Sequence, residues 1–393
     1  MSDLLIFVAS IGLLTFIAWT AAHTPYYLRL FIAYCLFFTT PVLTYFRLMA
    51  PLTGFNSSST SYYGITFLTP FLALLLVTNS AQICAAPRSF FFVAVNPIYL
   101  TCGPMPRSIQ LNPRRSLNAI WRRFRVIQND IIIGIFFISV IAPSFNLPQL
   151  KQSIQPIDVL MFGAFFEGYV YFNFAGYSML AWGLMRLIGI DVVRNFAMPF
   201  SATSVVEYWQ RWHISLSHVL SELFFKPSKL YLGVYGAAAL TFLSSALWHG
   251  VTVNFFMWGL LHALCWSCSR LLYQYYHRTW MQIPLLIFSI VIGRILFSES
   301  DFNILIEKFN TLFNTKEWVD YHFSEIIITS SFKTKFGLFL GALLVSVEFI
   351  FFRKFYSLKY YEYLKKPWVS ILLLTCSVLL GVYGDEGAIY GRR

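Results

Sequence analysis

Charge is what this chain has least of: only 12% of its residues are Asp, Glu, Lys or Arg, against about 25% in ordinary soluble domains. With 58% hydrophobic residues, 19% aromatic residues and a mean hydropathy of +0.63, that shortage excludes a water-soluble globule. Acidic residues are scarcer than basic ones, 17 against 29, for a net charge of +12. The basic excess lies between apolar runs, where positive-inside loops belong, so it does not indicate nucleic-acid binding. Repeats, low-complexity tracts and long linkers are also missing, which leaves one membrane domain over 1–393 as the economical reading. Transporters commonly carry internal repeats with paired broken helices, so a proton-relaying transporter is the weaker alternative. No His, Cys, Asp or Glu cluster has metal-ligand spacing. Of the six cysteines, Cys265 and Cys268 form a C-x-x-C pair without the loop or second ligand pair that a metal or redox site wants, so they read as structural. Met-Ser-Asp before the apolar run lacks a basic n-region and a small-residue cleavage site, so the first segment is expected to be a retained span.

Long apolar runs are what the chain does have. A spanning helix needs about 20 mainly apolar residues, and candidates fall at 3–22, 26–50, 62–86, 88–103, 128–146, 157–190, 230–249, 250–269, 281–298, 336–352 and 368–383. The fold class expected is all-α, a polytopic helical membrane protein with ten or eleven membrane elements plus interfacial helices. Arg107, Arg114, Arg115, Arg122, Arg123 and Arg125 predict a cytoplasmic loop between about 104 and 127 that also meets anionic headgroups. Arg353, Lys354, Lys359, Lys365 and Lys366 predict another cytoplasmic connection. The polar interruption from about 300 to 335 predicts short surface helices. The stretch between Asp158 and Asp191 would be about 48 Å as one straight helix, beyond a hydrocarbon core of roughly 30 Å. It must tilt, break or overhang, with Gly176 and Gly183 as places for a break or for close packing. The uncharged run from Leu230 to Ser269 would reach about 60 Å, so it requires two elements, hinged at Gly250.

Chemistry concentrates between 203 and 266. Ser204-Val205-Val206-Glu207 has the S-x-x-E form of a capping box, which predicts a helix from Val205. On a helical wheel Glu207, Gln210, Arg211, Ser215, Ser217, His218 and Glu222 form a polar arc opposite Tyr208, Trp209, Trp212, Leu216, Val219 and Leu220. That pattern predicts a helix lying at the membrane interface, with His213 on the border of the two arcs. Glu207 and Arg211 stand at i, i+4 and support the helix. From the residues alone, His213 is open to a structural or a reactive role. His249 lies in an otherwise apolar run, where burial keeps an imidazole neutral, the state a general base requires. His262 reads as a packing histidine bonded to a backbone carbonyl. Glu167, an acid within an apolar span, is open to a functional role or to a pair with an internal arginine.

Four blocks resemble a known family: C-G-P-M-P-R at 102–107, Y-F-N-F-A-G-Y-S-M-L-A-W-G-L at 171–184, N-F-A-M-P-F-S-A-T-S-V-V-E-Y-W-Q-R-W-H-I-S-L-S at 195–217, and S-A-L-W-H-G…M-W-G-L-L-H at 245–262. In this order, over about 100–265, the chain resembles the membrane-bound O-acyltransferases, in the bacterial branch of alginate O-acetyltransferases and teichoic-acid D-alanyl transferases. The resemblance implies spans surrounding a central tunnel, a multi-pass protein of the cell's inner or plasma membrane, and catalysis by His249 with His213 near the tunnel centre. It further implies that His249 takes the acceptor proton, that His213 with Asn254 orients it or supports the oxyanion, that Trp209, Trp212 and Trp248 wall the tunnel, and that Arg211 meets a donor phosphate. No bound cofactor or metal is implied. The donor expected is acetyl-CoA, or alternatively the phosphopantetheine thioester of an acyl carrier protein. The acceptor expected is a hydroxyl of a cell-surface polysaccharide or of an extracytoplasmic partner protein. D-alanyl transfer toward teichoic acid and long-chain acyl transfer to a lipid alcohol are the alternative enzyme readings. Asn173, where alginate-type members often carry aspartate, and Trp182 depart from the pattern and bear on substrate rather than on family.

Overall fold

The computed structural model describes residues 2–53, 63–96, 98, 104–106, 117–190, 192–276, 279–299, 301–314, 318, 322–351 and 366–382. Of the two expected basic connections, Arg107, Arg114, Arg115, Arg353, Lys354, Lys359 and Lys365 lie outside the described residues. The described elements are helices: α1 (Ser2–Ala21), α2 (Tyr26–Thr53), α3 (Tyr63–Thr78), α4 (Ser80–Ala85), α5 (Pro87–Ala94), α6 (Leu117–Phe136), α7 (Ala142–Phe145), α8 (Pro148–Gln152) and α9 (Pro156–Ile188). They continue as α10 (Val205–Arg211), α11 (Ile214–Leu220), α12 (Lys226–His249), α13 (Val253–Tyr276), α14 (Ile283–Ser298), α15 (Phe302–Phe313), α16 (His322–Thr329), α17 (Phe332–Phe351) and α18 (Pro367–Leu380). Lipid offers no hydrogen bonds to the backbone, so spanning segments must be helical or closed barrels. Among the described residues three helices are long and apolar enough to cross a membrane, Ile127–Phe145, Ile214–His249 and Val253–Tyr275, and several shorter apolar helices accompany them. Large apolar side chains such as Leu230 and Tyr231 stand 84% and 87% exposed, a surface suited to lipid rather than to water. The chain is an all-α polytopic membrane protein.

Several expectations are corrected. Of the span expected over 88–103, the described part is helical over Pro87–Ala94 and interrupted at Val95 and Asn96, and residues 97 and 99–103 lie outside the described residues. Asn96 precedes a proline, which disfavours helical backbone, and its Oδ1 accepts from the Ile98 N–H at 3.0 Å. The loop expected to reach residue 127 instead becomes helical at Leu117. Of the alternatives for the long stretch after Asp158, tilt, break or overhang, the structure excludes the break: α9 runs unbroken from Pro156 to Ile188, about 50 Å of helix. It ends where Gly189 turns left-handed at φ 83° and the Ile190 N–H reaches back to the Met185 carbonyl at 2.9 Å. Gly176 serves packing and not bending. A Cβ there would stand 2.8 Å from the Gly134 carbonyl oxygen of α6, so the two backbones touch in the manner of small-residue membrane interfaces. The two elements expected over 230–269 are α12 and α13, and the chain turns between them at Gly250, as the length argument requires.

Two π turns show how prolines are accommodated in this apolar setting. One, Phe137–Ile141, joins α6 to α7 and is followed by Pro143; the other, Ser221–Phe225, joins α11 to α12 and is followed by Pro227. A proline has no N–H for the carbonyl four residues earlier, which is Ser139 in the first case and Leu223 in the second. Both carbonyls find distant donors: the Val382 N–H at 2.8 Å and the Tyr34 hydroxyl at 2.7 Å. The bends thereby pin α18 and α2 to the middle of the chain. Tyr34→Phe is expected to cost about 1–3 kcal/mol by leaving the Leu223 carbonyl without that donor. In a Pro227→Ala background, which restores a local N–H, the cost is expected to shrink. Equilibrium unfolding of the four proteins of this double-mutant cycle in detergent checks it, and equal costs in both backgrounds would sink the account.

Candidate functional site

The segment from Asn195 to Phe225 lies at the seam of two apolar clusters. Tyr208 and Trp212 pack with residues of α6 and α9, whereas Leu216, Val219, Leu220 and Phe224 pack with α1, α2 and α3. One continuous amphipathic helix is expected here from periodicity, but the structure breaks it at Trp212–His213. His213 adopts a left-handed backbone, φ 42° and ψ 55°, a conformation uncommon for a residue with a side chain. Asn195 holds the break: its carbonyl accepts the Ile214 N–H at 2.9 Å, its Oδ1 accepts the Ser215 N–H at 3.3 Å, and its Nδ2 donates to Ser178 Oγ at 3.2 Å. Beyond the break, α11 runs on through the π turn into α12, so this is the start of a membrane-crossing element rather than a separate interfacial helix. The only interruption is Gly233, whose φ of 66° kinks α12.

The start of α10 follows the capping-box pattern with one change. Ser204 Oγ accepts the Glu207 N–H at 3.1 Å, but the Glu207 carboxylate reaches one residue further back, to the Thr203 N–H at 2.8 Å. Arg211 is tied to this end of the segment. Its Nη2 donates to Glu207 Oε1 at 2.6 Å and its Nη1 to the Ala197 carbonyl at 3.1 Å.

The break turns His213 inward, 5% exposed, with the edge of Phe174 at 4.7 Å between ring centroids. Neither of its ring nitrogens has a hydrogen-bond partner among the described residues. His249, the last residue of α12, is half-buried inside a cage of four rings: Trp248 at 4.7 Å, Phe297 at 4.8 Å, Trp258 at 5.4 Å and Phe255 at 5.9 Å. Both histidines line one cavity of about 290 Å³, together with Trp209, Trp212, Gln210 and Arg294. Trp248 lies between the two, 6.4 Å from the His213 ring. A second cavity of about 420 Å³ adjoins the first, since Val206 and Gln210 line both. Its lining includes the polar residues Ser204, Glu207, Arg270 and Gln274.

Asn254 and Arg211 lie outside the lining of the histidine cavity. Asn254 is buried in the first turn of α13, where its Nδ2 donates to the Leu296 carbonyl at 3.1 Å while its Oδ1 has no hydrogen-bond partner. His262 is a packing histidine as expected, but its Nδ1 meets the Ser289 hydroxyl at 3.0 Å instead of a carbonyl. Glu167 pairs with an internal arginine, Arg294, and accepts from the Tyr208 hydroxyl at 2.7 Å. Arg294 and Gln210 are cavity residues that motif reading passes over. The signal for Arg294 is present all the same, because it is the one charge in the apolar run 281–298. Among the described residues no group of three His, Cys, Asp or Glu side chains is placed to hold a metal ion.

A helical membrane bundle with a cavity flanked by two histidines, carried on a W-H-I-S-L-S segment and a W-H-G turn, defines a class. The chain belongs to the membrane-bound O-acyltransferase family, whose model it matches over residues 20–295. Among curated relatives it is similar to a probable alginate O-acetylase of Pseudomonas syringae pv. tomato, 26% identical over 244 residues, 58% of this chain and 46% of the relative. It is also similar to a peptidoglycan O-acetyltransferase of Helicobacter pylori, 30% identical over 225 residues, 51% of this chain and 42% of the relative. A teichoic acid D-alanyltransferase of Bacillus subtilis is 29% identical over 134 residues, 31% of this chain and 34% of the relative. The chain thus spans less than half the length of these relatives.

The left-handed backbone at His213 makes a stability prediction separate from chemistry. Asparagine tolerates that conformation and a β-branched residue does not. His213→Val is therefore expected to be less stable than His213→Asn by about 1–2 kcal/mol. Thermal melting of the purified variants in detergent measures the difference, and equal melting temperatures would count against the strained break.

Proposed function

We propose that this chain is an O-acyltransferase of the inner or plasma membrane that moves a small acyl group, acetyl from cytoplasmic acetyl-CoA, to a hydroxyl of a cell-surface polysaccharide or of an extracytoplasmic partner protein. The observation that carries the reading is the convergence of His213 and His249 on one cavity in a member of this family. His249, caged by rings on the wall of that cavity, acts as general base. It takes the acceptor proton as the oxygen attacks the thioester carbonyl carbon, and the thiolate that leaves recovers the proton from the imidazolium. His213 orients the acceptor. Its two nitrogens and Trp209 Nε1, buried without partners, are groups whose desolvation a bound substrate would offset. The aromatic walls, Trp209 and Trp212 on the cavity and Trp248 between the histidines, keep water from the acyl thioester.

The adjoining cavity, with Arg270 and Gln274 in its lining, supports a two-substrate arrangement. A polar donor head resting against Arg270 and Gln274 would reach past Gln210 into the apolar chamber with its acyl end. The expected role of Arg211 at a donor phosphate passes in this reading to Arg270, because Arg211 is engaged by Glu207. A second reading, D-alanyl transfer from a carrier-protein thioester, draws on the similarity to the teichoic acid D-alanyltransferase and uses the same chemistry.

The test is label transfer from radiolabelled acetyl-CoA by purified protein in proteoliposomes supplied with a cell-envelope extract containing glycan and envelope proteins. The parent is expected to label glycan or protein, and His249→Ala to lose about 10²–10⁴-fold of the rate, the range for removing a general base. A His249→Ala protein as active as the parent would sink the role of His249. A parent silent with acetyl-CoA but active with D-alanyl carrier protein would favour the second reading.

A further inference from the structure

The cavity wall carries one charged side chain among its described residues, Arg294, and the acyl-transfer chemistry above makes no use of it. It is 7% exposed and held from two sides. Its Nε donates to Glu167 Oε2, and the other carboxylate oxygen accepts the Tyr208 hydroxyl at 2.7 Å. The guanidinium carbon stands 4.8 Å over the Trp212 ring and 5.7 Å over Phe297. Trp212 precedes His213 in the chain, and Phe297 packs on the His249 ring at 4.8 Å. Arg294 thus sits where the walls of the two histidines meet.

Stability is a poor explanation for this pair. Desolvating two charges costs several kcal/mol each, and apolar replacements of buried ion pairs are often neutral or stabilising. The geometry of the pair suggests a use. A guanidinium offers five N–H donors, and the carboxylate is engaged through Nε–H rather than by the end-on fork that would occupy both terminal nitrogens. Tyr208 also stands within hydrogen-bonding reach of the guanidinium, which with five donors still has terminal N–H groups to offer whatever occupies the cavity. A cation fixed by its partners, on the wall of a mainly apolar cavity, is what a developing oxyanion requires.

We propose, building on the acyltransferase reading, that Arg294 is a further catalytic residue. Its terminal N–H groups donate to the thioester carbonyl oxygen as the acceptor oxygen bonds to the carbonyl carbon and the C=O electron pair moves onto that oxygen. When the intermediate collapses, the C=O bond reforms, the C–S bond breaks and the thiol departs with the proton that His249 had taken. Glu167 and Tyr208 are positioning residues that aim the guanidinium.

The experiment compares parent, Arg294→Lys, Arg294→Met and the double variant Glu167→Gln/Arg294→Met in the proteoliposome assay, with kcat and donor KM measured separately and melting followed in detergent. Arg294→Met is expected to lower kcat by roughly 10²–10³-fold, the range for removing one oxyanion donor, with donor KM within about twofold, the pattern of an interaction made only in the transition state. Arg294→Lys is expected to fall between Arg294→Met and the parent. The double variant removes the orphaned carboxylate and keeps the fold, and its kcat is expected to stay low. A double variant that regains the parental kcat would show that Arg294 only neutralises Glu167 and would overturn the proposal, as would a loss confined to KM. A parent inert with both acetyl-CoA and D-alanyl carrier protein would overturn the acyltransferase reading itself, and this proposal with it.

Discussion

Glu167 on α9 and Arg294 on α14 meet inside an apolar bundle where neither charge is tolerable alone, and that mutual need determines the centre of the molecule. Leaving either one unpaired would strand a charge in a medium that cannot solvate it, so α9 and α14 are held together at that level. The Tyr208 hydroxyl adds the short helix α10 to the same junction. Tyr208 in turn stacks on Trp212 at 5.5 Å, the residue at which the helix breaks. The pairing therefore joins three elements and leads directly to the backbone feature that turns His213 inward. On the other side of the guanidinium, Phe297 connects it to the ring cage of His249.

The rest of the bundle follows the same rule applied to the backbone. Where Pro143 and Pro227 deny a carbonyl its regular partner, the freed oxygen takes a donor from a distant segment. Where the chain leaves helical geometry at His213, Asn195 supplies hydrogen bonds from its own carbonyl and from its side chain. Each irregularity thus becomes a tertiary contact. In water, solvent would satisfy these groups and the contacts would carry little weight; in an apolar bundle each unsatisfied group costs several kcal/mol. The deviations that shape the cavity are also what fasten α2, α18 and the 192–203 segment around it.

Much of this architecture is legible in the residues. Scarcity of charge and long apolar runs establish a helical membrane protein. The length of the uncharged run after Leu230 demands two elements turning near Gly250, which follows from rise per residue alone. Ser204 and Glu207 announce the start of α10. Hydrophobic periodicity sorts the residues of 205–222 well enough that Tyr208, Trp212, Leu216, Val219 and Leu220 are all buried. It fails at Ser215, which a polar arc would leave at the surface and the structure buries, because a wheel drawn through 212–213 assumes a helical backbone that is not there.

What the sequence determined by itself is local and compositional: which segments are helices, where a cap stands, and which side chains are too polar for their surroundings to be idle. Glu167, His249 and Arg294 can each be singled out in this way, since a polar group in an apolar run is anomalous whatever its neighbours. Only the tertiary structure decided their partners. Glu167 and Arg294 are 127 positions apart in the chain, and nothing in either segment names the other. Gly176 serves close packing and not a bend only because α6 presents Gly134 opposite it. The two histidines share one cavity because the left-handed backbone at His213 redirects the chain there. Such choices depend on distant groups that share space and not sequence, and the requirement that buried polar atoms be paired is enforced only once the chain has folded back on itself.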